Sequence, residues 1–160
     1  MAGKRLALLH DIVPNLVTVG LLANPSDPDD SSQRADAQGV ADRLNLKLVV
    51  MNASTEREID MAFGTFAQRK VGAVVIASDP FFITRREQIV SLAARQRMPG
   101  IYPLREYVAA GGLMSYGNSL KEAFRHAGLY VGRILRGAKP SDLPVERLTK
   151  FEFIINLTTA

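Results

Sequence analysis

Along the chain, short apolar runs alternate with stretches in which apolar residues recur every three or four positions, which predicts strands interleaved with amphipathic helices. Leu6, Leu9 and Val13 share one helical face, so a short helix is expected over Lys4 to Val13, stopping at Pro14. Thr18 to Ala23 reads as the first strand, Ala37, Val40, Ala41 and Leu44 as one face of a helix, and Lys47 to Met51 as the second strand. Ile59, Ala62, Phe63 and Phe66 make the next helical stripe, followed by a strand at Ala73 to Ser78. A helix to about Arg97 then precedes the short strand Gly100 to Tyr102, and a short helix near Arg105 to Ala109 precedes a strand at Leu113 to Tyr116. Leu120, Phe124, Ala127, Val131 and Ile134 line one face of a long helix ending at Gly137. Lys139 to Pro144 reads as a linker and Phe151 to Asn156 as a last strand. Three helix starts carry the capping-box pattern, a hydroxyl residue with glutamate three positions on: Thr55 and Glu58, Thr84 and Glu87, Ser119 and Glu122. The run Ala73 to Ala77 is apolar at every position, so both faces of that strand must be covered. The fold class expected is α/β, a three-layer α/β/α sandwich with a mainly parallel sheet.

Composition narrows the function more than the fold. With 160 residues, 47% hydrophobic and 22% charged, the chain has the make-up of a single α/β domain over 1–160. Its 20 basic residues exceed its 16 acidic ones by four, but they are scattered in pairs such as Arg85-Arg86, so no nucleic-acid partner is expected. The absence of cysteine removes disulfides, thiolate metal sites and cysteine nucleophiles. No run approaches the ~20 apolar residues of a membrane span, and the one at the N-terminus is too short for a signal peptide, so the chain as written is expected to stay in the cytoplasm.

In open parallel sheets ligands bind beyond the carboxyl ends of the strands, so the chemistry is sought at Asn24, Asn52, Ser78, Asp79, Tyr102, Ser115, Tyr116 and Gly117. That set is uncharged apart from Asp79 and holds two tyrosines, which suits hydrogen bonding and stacking of a small solute, although such residues also simply end strands. No catalytic residue, metal or cofactor is expected. No phosphate-binding glycine loop follows the first strand, which runs into Asn24-Pro25, and Ser115 lies one residue too far from Gly112 for a hydrolase elbow. His10 and His126 fall on separate helices, with Asp11 the one carboxylate nearby, so solvated helix faces suit them better than metal or general-base roles. Asp79 at the end of the third strand invites comparison with a phosphoacceptor aspartate. Asn24 stands where paired magnesium-binding carboxylates would be needed and no lysine closes the strand at Tyr116, so Asp79 before Pro80 reads equally as a turn or cap. Phe81 and Phe82 suit either the core or one wall of a cleft.

Seven segments in order carry a family resemblance: Gly3-Lys4-Arg5-Leu6; Asn24-Pro25; Ser78 to Phe82 with Arg85 to Gln88; Ile101 to Pro103 with Arg105 to Val108; Ala110 to Gly117; Ile134 to Pro140 with Asp142 to Glu146; and Thr149 to Glu152 with Ile155 to Leu157. Together the chain resembles the C-terminal portion of ABC-transporter substrate-binding proteins of the type I periplasmic binding fold. Members of that family are about twice this length, with a signal peptide and a first α/β lobe ahead of the position Met1 occupies here, so the resemblance is to one lobe of a receptor cut near its hinge. It implies that 15–105 and 151–157 form the second-lobe core, while 1–14 and 113–137 pack on the missing first lobe. It further implies a cleft lined by Asn24, Ser78, Asp79, Tyr102, Arg105, Glu106, Ser115 and Tyr116, taking a small organic solute such as an amino acid and delivering it to a membrane permease without catalysis. The full-length parent would be periplasmic. The lone half-cleft is expected to bind weakly at best, and the uncovered elements, the 113–137 segment or the first helix, are expected to drive a homodimer. The alternative is a stand-alone cytoplasmic α/β domain with a regulatory or enzymatic role.

Overall fold

A strand that is apolar at every position needs cover on both faces, and β3 (Ala73–Ile76), buried throughout, lies inside a six-stranded sheet of order β2-β1-β3-β4-β5-β6. The computed structural model describes residues 1–145 and 150–160, so Glu146 and Thr149 of the resemblance segments lie outside the described residues. β1 (Thr18–Ala23), β2 (Lys47–Asn52), β3, β4 (Gly100–Tyr102) and β5 (Met114–Asn118) run parallel, and β6 (Phe151–Ile155) closes the edge antiparallel to β5. Helices α1 (Ala2–Ile12) and α2 (Asp30–Arg43) cover one face; α3 (Glu56–Gln68), α5 (Arg86–Arg95) and α6 (Arg105–Ala109) cover the other. The expected three-layer sandwich is therefore what the chain forms.

The apolar stripes set the packing. Ile59, Ala62, Phe63 and Phe66 of α3 are all fully buried, and each of the three large ones, Ile59, Phe63 and Phe66, contributes roughly 1.5–3 kcal/mol. The α3 capping box forms completely: Thr55 accepts from the Glu58 amide while the Glu58 carboxylate accepts from the Thr55 amide. The Ser119 box forms by half, because Ser119 accepts from the Glu122 amide but the Glu122 carboxylate turns to Arg125. The Thr84 box does not form. Asp79 caps a helical turn five residues earlier, α4 (Pro80–Thr84), with Pro80 in its first turn, so Thr84 is already helical and its hydroxyl donates to the Phe81 carbonyl at 2.7 Å.

Two elements that the family resemblance would place against a first lobe lie on this sheet. α1 packs on this sheet, with Ala2, Leu6 and Leu9 fully buried against α2 and the β3–β4 face. Gly3 makes that approach close, since a Cβ there would stand 2.6 Å from the Asp36 carbonyl. β5 pairs with both β4 and β6, which gives Tyr116 to Asn118 the antiparallel partner they need to remain strand. α7 (Leu120–Leu135) has no buried residue; Phe124 is 72% exposed, and Val131, Ile134 and Leu135 are exposed beside it. The expected linker contains a short 3-10 turn, Pro140–Asp142. No helix among the described residues is long and apolar enough to cross a membrane.

Candidate functional site at the carboxyl edge

The strand order reverses between β1 and β3: the chain steps from β1 outward to β2, then returns past β1 to β3. The connection after β1 leads to α2 on one face and that after β3 leads to α4 and α5 on the other, the topology beside which open parallel sheets bind ligands at their strand ends. Asn24 and Asp79 meet there. The Asn24 amide donates to Asp79 Oδ2 at 3.0 Å while its carbonyl oxygen accepts from the Ser26 amide, and Asp79 Oδ1 accepts from the Phe82 amide at 2.9 Å as the cap of α4. Both side chains are buried, so each hydrogen bond is needed to offset desolvation. Gln33 of α2 clasps the exposed Ser78 backbone in both directions, accepting from its amide at 2.7 Å and donating to its carbonyl at 2.9 Å. At the next strand end, Arg34 donates to Asn52 Oδ1 at 2.7 Å and pairs with Asp30.

Four further residues expected at the site lie around this edge or within the sheet. Arg105 and Glu106 open α6 directly after β4; Arg105 is exposed 3.7 Å from Glu152 of β6, and Glu106 is half-buried with Oε2 enclosed and unpartnered. Ser115 is buried inside β5, in register with Tyr102 and Ile154, because the strand runs on to Asn118. Tyr116 stacks on Phe151 at 5.8 Å and meets Phe153 edge-on, making an aromatic patch on the β5–β6 face. Tyr102 is not brought to this edge. Its ring is buried, stacked on Tyr107 at 4.9 Å and folded back over Gly100 and Gly112, where added Cβ atoms would stand 2.7 and 2.6 Å from it. Burial pushes both phenols well above their ordinary value, and for Tyr107 the Asp79 charge adds to the effect. Of the aromatic pair, Phe82 is core and Phe81 is half-buried under the Arg85 guanidinium.

Sequence reasoning missed Arg5. It lies on the same helical face as Ala2, Leu6 and Leu9 and is 1% exposed, with Nη1 3.5 Å from the Tyr116 carbonyl and Nε and Nη2 enclosed without any acceptor. Burial lowers its pKa to about 10, with Asp36 and Tyr107 working in the opposite direction, so it remains charged at neutral pH. Arg5 lines a pocket of about 280 Å³ bounded by Ser78, Ile83, Leu104, Asn118 and the first turn of α7. Gly117 keeps this pocket close-walled: a Cβ there would fall 1.9 Å from the Pro103 carbonyl. A second pocket, about 330 Å³, lies at the opposite end of the sheet between α5, Tyr102, Gly111 and Thr159. Among the described residues no cluster of three or more metal-ligating side chains occurs.

The strand-order reversal, flanked here by polar side chains, is where open α/β sheets bind ligands. The family model described as ABC transporter substrate binding protein matches residues 1–160, and the chain belongs to that family. A curated relative, the tyrosine-binding protein of Clostridioides difficile strain R20291, is 24% identical over 156 residues, which are 98% of this chain and 45% of the relative. Two solved structures share the fold, each at 23% identity over 99% of this chain. One is a conserved domain protein from Vibrio cholerae (TM-score 0.88, 53% of that chain); the other is an ABC domain in complex with L-Trp from Streptococcus pneumoniae (TM-score 0.86, 55% of that chain). The chain thus spans about half the length of the relatives it matches.

Proposed function

We propose that the chain is one lobe of a two-lobed receptor for an ABC-type uptake transporter, taking an amino acid at the carboxyl edge of its sheet and performing no catalysis. The observation that carries this reading is the convergence of Asn24, Ser78 and Asp79 at the strand reversal, in a chain that covers about half of its relatives. The tyrosine- and L-Trp-binding relatives make an aromatic amino acid the first solute to test. The contacts proposed are Asn24, Ser78, Asp79, Arg105 and Glu106, with Tyr116 presenting its aromatic patch and Ser115 supporting the edge from within the sheet. The complete receptor would work outside the cytoplasmic membrane and hand its solute to a membrane permease.

Affinity in such receptors comes from enclosing the ligand between lobes, so one lobe should bind weakly, with Kd of about 1 mM or above. Calorimetric titration with L-tyrosine and L-tryptophan tests this. Micromolar binding to monomer would contradict the half-cleft reading. The exposed apolar face of α7 supports self-association of these 160 residues as a homodimer across it. The first helix is not available for that role because its apolar face is in the core. Light scattering should give twice the monomer mass for the parent and the monomer mass for Phe124→Glu; a monomeric parent at high micromolar concentration would overturn the dimer.

A further inference from the structure

Arg5 holds a charge in the interior with one edge of its guanidinium enclosed but without an acceptor. Nε and Nη2 lie on the same edge of the planar group, the pair of donors that engages both oxygens of a carboxylate at once. The remaining nitrogen, Nη1, reaches only the Tyr116 carbonyl at 3.5 Å, a long bond that does little to fix the group. A second feature points the same way. The pocket that Arg5 lines is also walled by Ser119 and Leu120 at the N-terminus of the 16-residue α7, where unpaired backbone amides and the helix dipole favour negative charge. None of the residues lining the pocket is acidic.

We propose that this pocket takes the carboxylate of the solute, with the Arg5 side chain shifting to present its unpartnered Nε and Nη2 to the two oxygens and the start of α7 facing it from the other side. The inference rests on the receptor reading and adds to it a division of labour. The charged end of an amino acid enters between Arg5, Leu104 and Asn118, while the rest of the molecule lies over the Asn24–Asp79 pair next to Ser78, which borders both. The lowered pKa of Arg5 reflects burial that the Asp36 charge offsets only in part.

The test uses the chain labelled with ¹⁵N-arginine, its Arg5 Nε–H signal assigned with Arg5→Lys, and titrated with L-tyrosine and with tyramine, which differs by lacking the carboxylate. L-tyrosine should shift the Arg5 Nε–H signal and the backbone amides of Leu104 and Asn118; tyramine at equal concentration should leave all three in place. Arg5→Lys, which keeps the charge but loses the two-donor edge, should weaken L-tyrosine at least tenfold. The comparison of acid with amine stands on the parent chain alone, so it survives a variant that folds poorly. If L-tyrosine and tyramine shift the Asn24 and Ser78 signals equally and leave Arg5 unmoved, the carboxylate assignment is overturned while solute binding at the edge stands. If neither compound shifts any signal at the carboxyl edge, the receptor reading is overturned together with it.

Discussion

A buried charge retained for a ligand should weaken the empty protein, and Arg5→Met measures that cost. Arg has five N–H donors; the one on Nε and the two on Nη2 have no acceptor, and Nη1 has one long bond. A fall in pKa from 12.5 to about 10 corresponds to about 3 kcal/mol of disfavoured charge, at about 1.4 kcal/mol per pH unit. Methionine fills a comparable length with flexible apolar atoms and needs no partner. Replacing poorly compensated buried charge by apolar side chains is commonly neutral to stabilising, by up to about 4 kcal/mol, so we expect Arg5→Met to gain about 1–3 kcal/mol in urea unfolding at pH 7. For a domain of this size that is a rise in Tm of about 2–12 °C. The same variant should lose the L-tyrosine response at Leu104 and Asn118. A loss of more than about 1 kcal/mol with unchanged denaturant slope would mean that the guanidinium is well satisfied in the empty chain, and the reasoning would fail.

Other expectations follow from the same contacts. Asp79→Ala removes the α4 cap and leaves the buried Asn24 amide unpartnered, which should cost about 2–4 kcal/mol in urea unfolding; in the Asn24→Ala background the cost should shrink, and strict additivity would deny the pairing. Tyr102 and Tyr107 both have raised folded-state pKa values, so they add stability that is present below pH 10 and is lost as pH climbs past the ordinary phenol value. Each removes about 1.4 kcal/mol per pH unit there, while Arg5 gives back a similar amount as it discharges above about pH 10. Net alkaline unfolding is expected, steeper in Arg5→Met; a flat stability profile from pH 9 to 12 would contradict it. Gly117→Ala drives a Cβ into the Pro103 carbonyl and should cost about 3 kcal/mol or more by thermal melting, whereas a near-neutral result would show that the β4–β5 edge yields easily.

The fold was legible because its signals are local. Period-2 and period-3.6 patterns placed every strand and most helices, and an apolar run such as Ala73 to Ala77 announced a doubly covered strand without any knowledge of its neighbours. What was not legible depended on partners distant in sequence. Tyr116 looked like a strand end because nothing local shows that Phe153 of β6 returns 37 residues later to pair with it. Tyr102 looked like a cleft residue because its position at the end of a strand says nothing of the space that Gly100 and Gly112 leave for its ring. The Thr84 pattern was overridden by the stronger Asp79-Pro80 start just upstream. Arg5 left a local trace: it interrupts the face formed by Ala2, Leu6 and Leu9, and a charge in the middle of an apolar stripe asks for a partner. Asn24, Ser78 and Asp79 were reached from strand ends, whereas Gln33, which ties Ser78 down, sits on a helix with nothing in its surroundings to mark it.

The claim on which the rest depends is that solute meets this chain at the carboxyl edge of the sheet. Backbone amide shifts on titrating the chain with L-tyrosine locate the contact directly. The account requires the largest changes at Asn24, Ser78, Asp79, Leu104 and Asn118, saturating in the millimolar range. Changes centred instead on Val90, Gly111 and Thr159, around the pocket at the opposite end of the sheet, would contradict it.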